Sequence, residues 1–263
     1  MTETKQVTQV TDADFPVPTF KKRIKSMMRL DFYRLFRSPI FYIMLGVAAI
    51  IPALILTMGS VESPDIETVP LIIDNVWQLI STKGSAFDVN GMAGFATIDM
   101  VFIFAGVLMA IFVARDYMSG FIKNIFTVHS KKEDYIISKT AVGVFSGICM
   151  ILTYTFGTII CGGIMLKSFD VNVFGLMLCL LSKMVMMLAF CSLFLAIAVF
   201  FKNQLWFTII CTFLFGMVLY PVAIFANLDS NLLTFIMSIV GSVGLGIGFF
   251  YVTRLFLRKR DLA

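Results

Sequence analysis

Six long apolar stretches, positive charge gathered in alternate loops, and 59 % hydrophobic against 14 % charged residues predict an all-α integral membrane protein, a bundle of six transmembrane helices. About 20 apolar residues in helical form cross the roughly 30 Å hydrocarbon core. A segment in lipid must satisfy its own backbone hydrogen bonds, which makes helix the required form. The spans fall near 39–58, 94–114, 140–166, 173–201, 205–226 and 235–257. Arginines and lysines crowd the segment before the first span, the loop between the second and third, Lys202, and the stretch from Arg254 to Arg260. The opposite loops carry only Lys83 and Lys167. This positive-inside pattern places both termini in the cytoplasm of a multi-pass cell-membrane protein. The net charge of +5 reflects that orientation and gives no reason to expect a nucleic-acid partner.

Residues 1–19 are polar, with Pro16 and Pro18, and are expected to form a flexible cytoplasmic tail ahead of a single transmembrane domain over 20–263. From Phe20 to Arg37 the pattern turns helical. Phe20, Ile24, Met27, Met28, Phe32 and Leu35 form one stripe, opposite Lys22, Lys25, Arg29 and Arg37. A basic amphipathic helix of this kind lies in the membrane–water interface and contacts lipid. The first apolar run begins at Pro39 and is long enough to remain as an anchor.

The external segment 59–93 is acidic, with Glu62, Asp65, Glu67, Asp74 and Asp88. Within it VPLIIDNVWQLI (69–80) is amphipathic enough for a short helix on the outer surface, where Trp77 suits the interface. Asp99 in the second span and Lys183 in the fourth are ionisable residues within apolar stretches. A lone lysine near the bilayer centre costs about 2.5–3.5 kcal/mol. A mutual ion pair, a snorkelling lysine or a polar contact in a substrate path each answers that cost. Pro52 and Pro221 suit kinks, and Tyr220 with Pro221 marks a site for an outer gate. Gly143 with Gly147, and Gly244 with Gly248, form two GxxxG patterns, for close packing within the bundle or for a dimer seam.

The five cysteines all fall inside spans with no CxxC spacing, and the single histidine is His129. A disulfide framework, a metal centre and a catalytic triad are therefore not expected. The chain has no GxxxxGK[ST], so it cannot cradle a nucleotide phosphate as a P-loop does.

The loop RDYMSGFIKNIFTVHSKKEDYIISK (115–139) is the most distinctive cytoplasmic segment. Phe121, Ile122, Ile125 and Phe126 give a short amphipathic helix whose apolar side needs a cover. With the basic helix running into RLFRSPIFY (34–42) and the entry YIISK (135–139), it resembles the permease subunit of ABC exporters of the ABC-2 type. Asp116, Gly120, Lys123, Asn124, Tyr135 and Lys139 match the family's loop motif, and His129 to Lys132 stand where many members have Pro and Arg. The resemblance implies a cytoplasmic coupling helix within 116–135, with Phe121 on its apolar side, docking on a separate ATPase subunit. It further implies that ATP binds the partner and that no cofactor binds this chain. A second permease copy or a related permease would complete the transporter, with 94–114 and 205–226 lining the path. Small size and short loops fit efflux of an amphipathic or hydrophobic substrate, such as an antimicrobial peptide or drug, with bacteriocin immunity as the subclass. An ion-coupled secondary transporter or a non-transporting scaffold is the alternative, but no internal repeat or chain of buried acids supports the former.

Overall fold

The computed structural model describes residues 19–58, 75–80, 97–122, 124, 131–202, 204–224, 226 and 230–259, with the backbone alone at 219–224 and 259. Within them lie seven α-helices: α1 (Phe20–Phe36), α2 (Pro39–Met58), α3 (Met100–Met118), α4 (Lys132–Ile164), α5 (Val173–Phe201), α6 (Leu205–Ile224) and α7 (Leu232–Lys259). One 3-10 turn, Val76–Leu79, precedes α3. Among the described residues α2 to α5 and α7 are long and apolar enough to cross a membrane, and in α6 the shorter stretch Leu205–Val218 is also apolar. The tail 1–18, most of the segment 59–96, Lys123 and the turn 125–130 lie outside the described residues, as do the side chains of Tyr220 and Pro221.

Helix α1 ends because Pro39 disfavours helical backbone at Ser38. The Arg37 and Ser38 N–H groups close its last turn onto Tyr33 and Leu35 carbonyls. The observed α3 begins only at Met100, with Asp99 in the N-cap position. Conversely, α4 begins at Lys132, ahead of the expected 140, and carries Glu133 and Asp134 in its first turn. The Asp134 carboxylate accepts from the Lys131 N–H at 3.3 Å, and acids at a helix start suit its dipole. Hydropathy misses this extension because the added turns are charged.

Helix α5 sits at the centre, against α3, α4, α6 and α7, while α4 also carries α1 and α2 on its flank. The two GxxxG patterns have different surroundings. A Cβ at Gly143 would lie 2.6 Å from Met109 Sδ, and one at Gly147 2.5 Å from Met187 Sδ. This pair therefore packs inside the bundle. Gly244 and Gly248 face open space, as does Gly241. Between α2 and α4 the backbones themselves approach: a Cβ at Gly157 would meet the Ala49 carbonyl oxygen at 2.7 Å. Apolar side chains such as Ile43, Ile50, Phe207, Ile210, Leu233 and Val240 cover the outside of the bundle, as lipid contact requires. The five cysteines are free thiols.

The 3-10 turn is not a helix resting on a surface. Val76, Leu79 and Ile80 are fully buried in the protein, and the Trp77 ring lies edge-on to Phe169 at 6.0 Å. These apolar side chains remove more surface from water by wedging against α4 than by lying flat.

Candidate functional site

At the basic end of the bundle, α1, α3 and α4 converge on four charges. On α1, Asp31 follows Met27 and precedes Leu35 at four-residue spacing, so all three face α4 and are buried. Lys139 Nζ lies 2.7 Å from Asp31 Oδ1 and 2.7 Å from Asp116 Oδ2. Arg34 Nη2 pairs with Asp116 Oδ1 at 2.6 Å, and its other nitrogen lies 3.8 Å from Asp31 Oδ1. The Ser138 hydroxyl donates to Asp31 at 2.6 Å and the Tyr135 hydroxyl to Asp116 at 3.2 Å. Two acids and two bases balance, as burial of charge demands. Asp31, Asp116, Tyr135 and Lys139 are all fully buried, where they tie α1, α3 and α4 together.

The segment after α3 grows directly from this cluster. Gly120 has φ 68° and ends α3 in a left-handed turn that glycine adopts without penalty. A Cβ there would meet nothing within 4 Å, so backbone conformation alone favours glycine. Phe121 and Ile122 start a further helical turn, closed by the Asn124 N–H donating to the Gly120 carbonyl at 3.3 Å. The Arg34 guanidinium lies 4.1 Å from the centre of the Phe121 ring, and Lys139 Nζ 4.0 Å from that of Phe112. Ile122 is buried, Phe121 half-buried and Asn124 exposed. Part of the apolar side of this segment is thus covered by the protein itself.

Three further contacts join the same region. Arg23 Nε pairs with Asp134 at 2.9 Å, Arg254 with Glu133 at 2.6 Å, and Lys132 Nζ donates to the Leu257 carbonyl at 2.7 Å. The start of α4 is therefore held from α1, α3 and α7. Sequence reasoning reached Asp116, Gly120, Tyr135 and Lys139 but missed Asp31, Arg34 and Arg23. One signal was available: a single acid, Asp31, interrupting the apolar stripe of a basic helix.

Towards the other end, Lys183 Nζ donates to Asp99 Oδ1, and both are buried between α3 and α5. The Thr97 hydroxyl lies 3.4 Å from the other Asp99 oxygen. One turn along, Phe102 and Phe190 stack at 4.5 Å across the same pair of helices. Asp99 also occupies the N-cap position of α3. Helices α3 and α6 meet closely, since a Cβ at Gly106 would lie 2.5 Å from Thr212 Cγ2. A groove of about 460 Å³ runs between α5 and α7, lined by Met186, Phe190, Met237, Gly241, Leu245 and Phe249 among others. Its neighbouring hydroxyls, Ser238 and Thr234, donate back to the Phe235 and Asn231 carbonyls.

Long apolar helices around a buried, charge-neutral cluster define a multi-pass helical membrane protein. Residues 27–219 match the family described as ABC-2 family transporter protein. The chain belongs to that family and is an ABC transporter permease, a membrane transport domain without a nucleotide-binding motif of its own. Comparisons with curated proteins and with solved structures give no significant match.

Proposed function

We propose that this chain is the permease subunit of an ATP-driven exporter, with six spans, both termini in the cytoplasm, and a separate ATPase that docks on the segment after Gly120. The observation that carries this reading is the union of buried Asp31, Asp116 and Lys139 with half-buried Arg34 beside Phe121. A push on the segment after Gly120 would reach α3 and α4 directly, because their ends share Lys139. In this reading Gly120, Phe121, Lys123 and Asn124 form the docking segment, while Asp116, Tyr135 and Lys139 position it. Helix α6 completes the six as the fifth span in chain order, and the basic loops define the cytoplasmic side.

The substrate is amphipathic or hydrophobic, of the antimicrobial-peptide or drug class, moved outward; bacteriocin self-protection is the physiological setting. The apolar lining of the groove between α5 and α7 suits a lipophilic cargo. Two permease copies, or this chain with a related one, would pair with two ATPases. The outward apolar face of α6, with Phe213, Leu214 and Val218 exposed, supports a seam there. Tyr220 and Pro221 stand near the outer end of α6, where a gate would act.

The test is a pull-down from gently solubilised membranes. The native chain should retain an ATPase that the Gly120→Arg, Phe121→Asp variant loses at equal expression. Failure of the native chain to hold any ATPase in several mild detergents would remove the proposal.

A further inference from the structure

We propose that the groove between α5 and α7 is a binding site for one membrane phospholipid, held by a single acyl chain laid along α7. The site depends on neither the ATPase partner nor the direction of transport. A lipophilic cargo of the class proposed above would have to displace that chain to use the same space.

The wall of the groove is one stripe of α7. Met237, Gly241, Leu245 and Phe249 follow one another at four-residue spacing, with Thr234 ahead of them and Ser238 and Ser242 alongside. Met186, Ala189 and Phe190 of α5 form the floor and are buried. Small residues make the hollow. Ala189, Ala226, Gly241 and Ser242 leave room, and a Cβ at Gly241 would meet nothing within 4 Å. On the open side Met237 and Leu245 are exposed, so the groove is entered from the lipid around the bundle.

The dimensions select the occupant. From Thr234 to Phe249 the stripe is about 22 Å long, at 1.5 Å per helical residue. Spread over that length, a volume of about 460 Å³ is a channel roughly 5 Å across. A helix with its side chains is about 10–12 Å thick, so a helix from a second copy or from a partner does not fit inside. A single row of methylenes, whose carbons touch their neighbours at about 3.5–4 Å, does. One leaflet of hydrocarbon is about 15 Å deep, half of the roughly 30 Å core, so the groove takes one acyl chain along its full depth. Thr234 lies in the first turn of α7, so the groove reaches the end of the helix, where a headgroup stays in the polar interface.

The lining agrees with a hydrocarbon ligand. Among the described residues no charged side chain borders the groove. The Thr234 and Ser238 hydroxyls donate to the Asn231 and Phe235 carbonyls, which leaves at most Ser242 to meet a polar group. Met186 and Met237 are unbranched and adapt to a flexible chain.

Photolabelling of the full chain decides the matter, in nanodiscs of phosphatidylethanolamine and phosphatidylglycerol. The probe is phosphatidylglycerol with a diazirine near the end of one acyl chain. Because Met186, Ala189 and Phe190 are buried, lipid reaches them only through the groove. Mass spectrometry should find label on 186–190 as well as on the exposed face of α2, at Ile43, Val47, Ile50 and Leu54. As the probe fraction rises, label on 186–190 should saturate while label on α2 keeps rising in proportion. Gly241→Leu enters open space and fills the channel. It should cut label on 186–190 several-fold and leave α2 unchanged. Gly244→Leu also enters open space but does not line the groove, and should leave both unchanged. Absence of label on 186–190 while α2 is labelled would overturn the site. So would label there that rises in proportion as on α2, which is bulk lipid only, or label that survives Gly241→Leu. Label missing from exposed Met237 as well would show a second protein covering the groove, and would equally overturn it. The saturation measurement uses the native chain, so it decides the site even where the leucine variant fails to fold.

Discussion

Lys139→Met removes one cation from the cluster and leaves its shape nearly unchanged. Lys139 Nζ stands 2.7 Å from a carboxylate oxygen of Asp31 and 2.7 Å from one of Asp116, all three residues being fully buried. At an effective dielectric of about 20, each contact is worth about 6 kcal/mol. Against this stands the desolvation of three ions, several kcal/mol apiece, so the intact cluster contributes little net stability. Its loss is another matter. With methionine at 139 the balance of two acids and two bases becomes two acids and one base. Arg34, partly exposed and 3.8 Å from Asp31, is left to face both. Breaking a buried pair on one side costs about 3–5 kcal/mol. For a chain of this size that corresponds to a fall in Tm of roughly 10 °C. The assay is thermal stability of the detergent-purified protein followed by fluorescence-detected gel filtration. Asp31→Asn combined with Lys139→Met restores neutrality and should recover at least half of the loss. A single variant as stable as the native chain, or a double variant no better than the single one, would refute the reasoning.

Glycine contacts supply a graded series in the same assay. Gly157→Ala meets the Ala49 carbonyl, a backbone atom that cannot turn aside, and should cost about 1–3 kcal/mol. Gly147→Ala should cost less because the Met187 side chain can re-orient, and Gly244→Ala, facing open space, should cost nothing. Equal losses at all three positions would contradict the packing described. Asp99→Asn or Lys183→Met alone should destabilise by about 3–5 kcal/mol, with much of the loss recovered in the double variant. Additive losses in a double-mutant cycle would show that the pair is not coupled. Gly120→Ala, strained at φ 68°, should weaken the turn after α3 by about 1–2 kcal/mol, and Gly120→Asn should cost less. Stability and ATPase co-purification of the two variants measure it, and an alanine variant better than asparagine would count against the left-handed cap.

The apolar runs 39–58 and 173–201 were legible residue for residue as α2 and α5. A helix in lipid announces itself locally, because every residue that faces hydrocarbon must itself be apolar. The cost of isolated charge likewise singled out Asp99 and Lys183. Whether those two side chains meet depends on where α3 begins and on how it lies against α5, and neither is a local property. The early start of α4 was hidden for the same reason. Lys132, Asp134 and Lys139 look like a loop to hydropathy and become helix because Leu257, Arg23, Asp31 and Asp116 satisfy them. Asp31, Asp116 and Lys139 are far apart along the chain, and no periodicity connects them. Their union is a product of packing three helices at one end of the bundle. Patterning along a sequence reports which surface each segment shows to lipid or water, whereas charge neutralisation in the interior is a relation between segments and exists only once they are packed together.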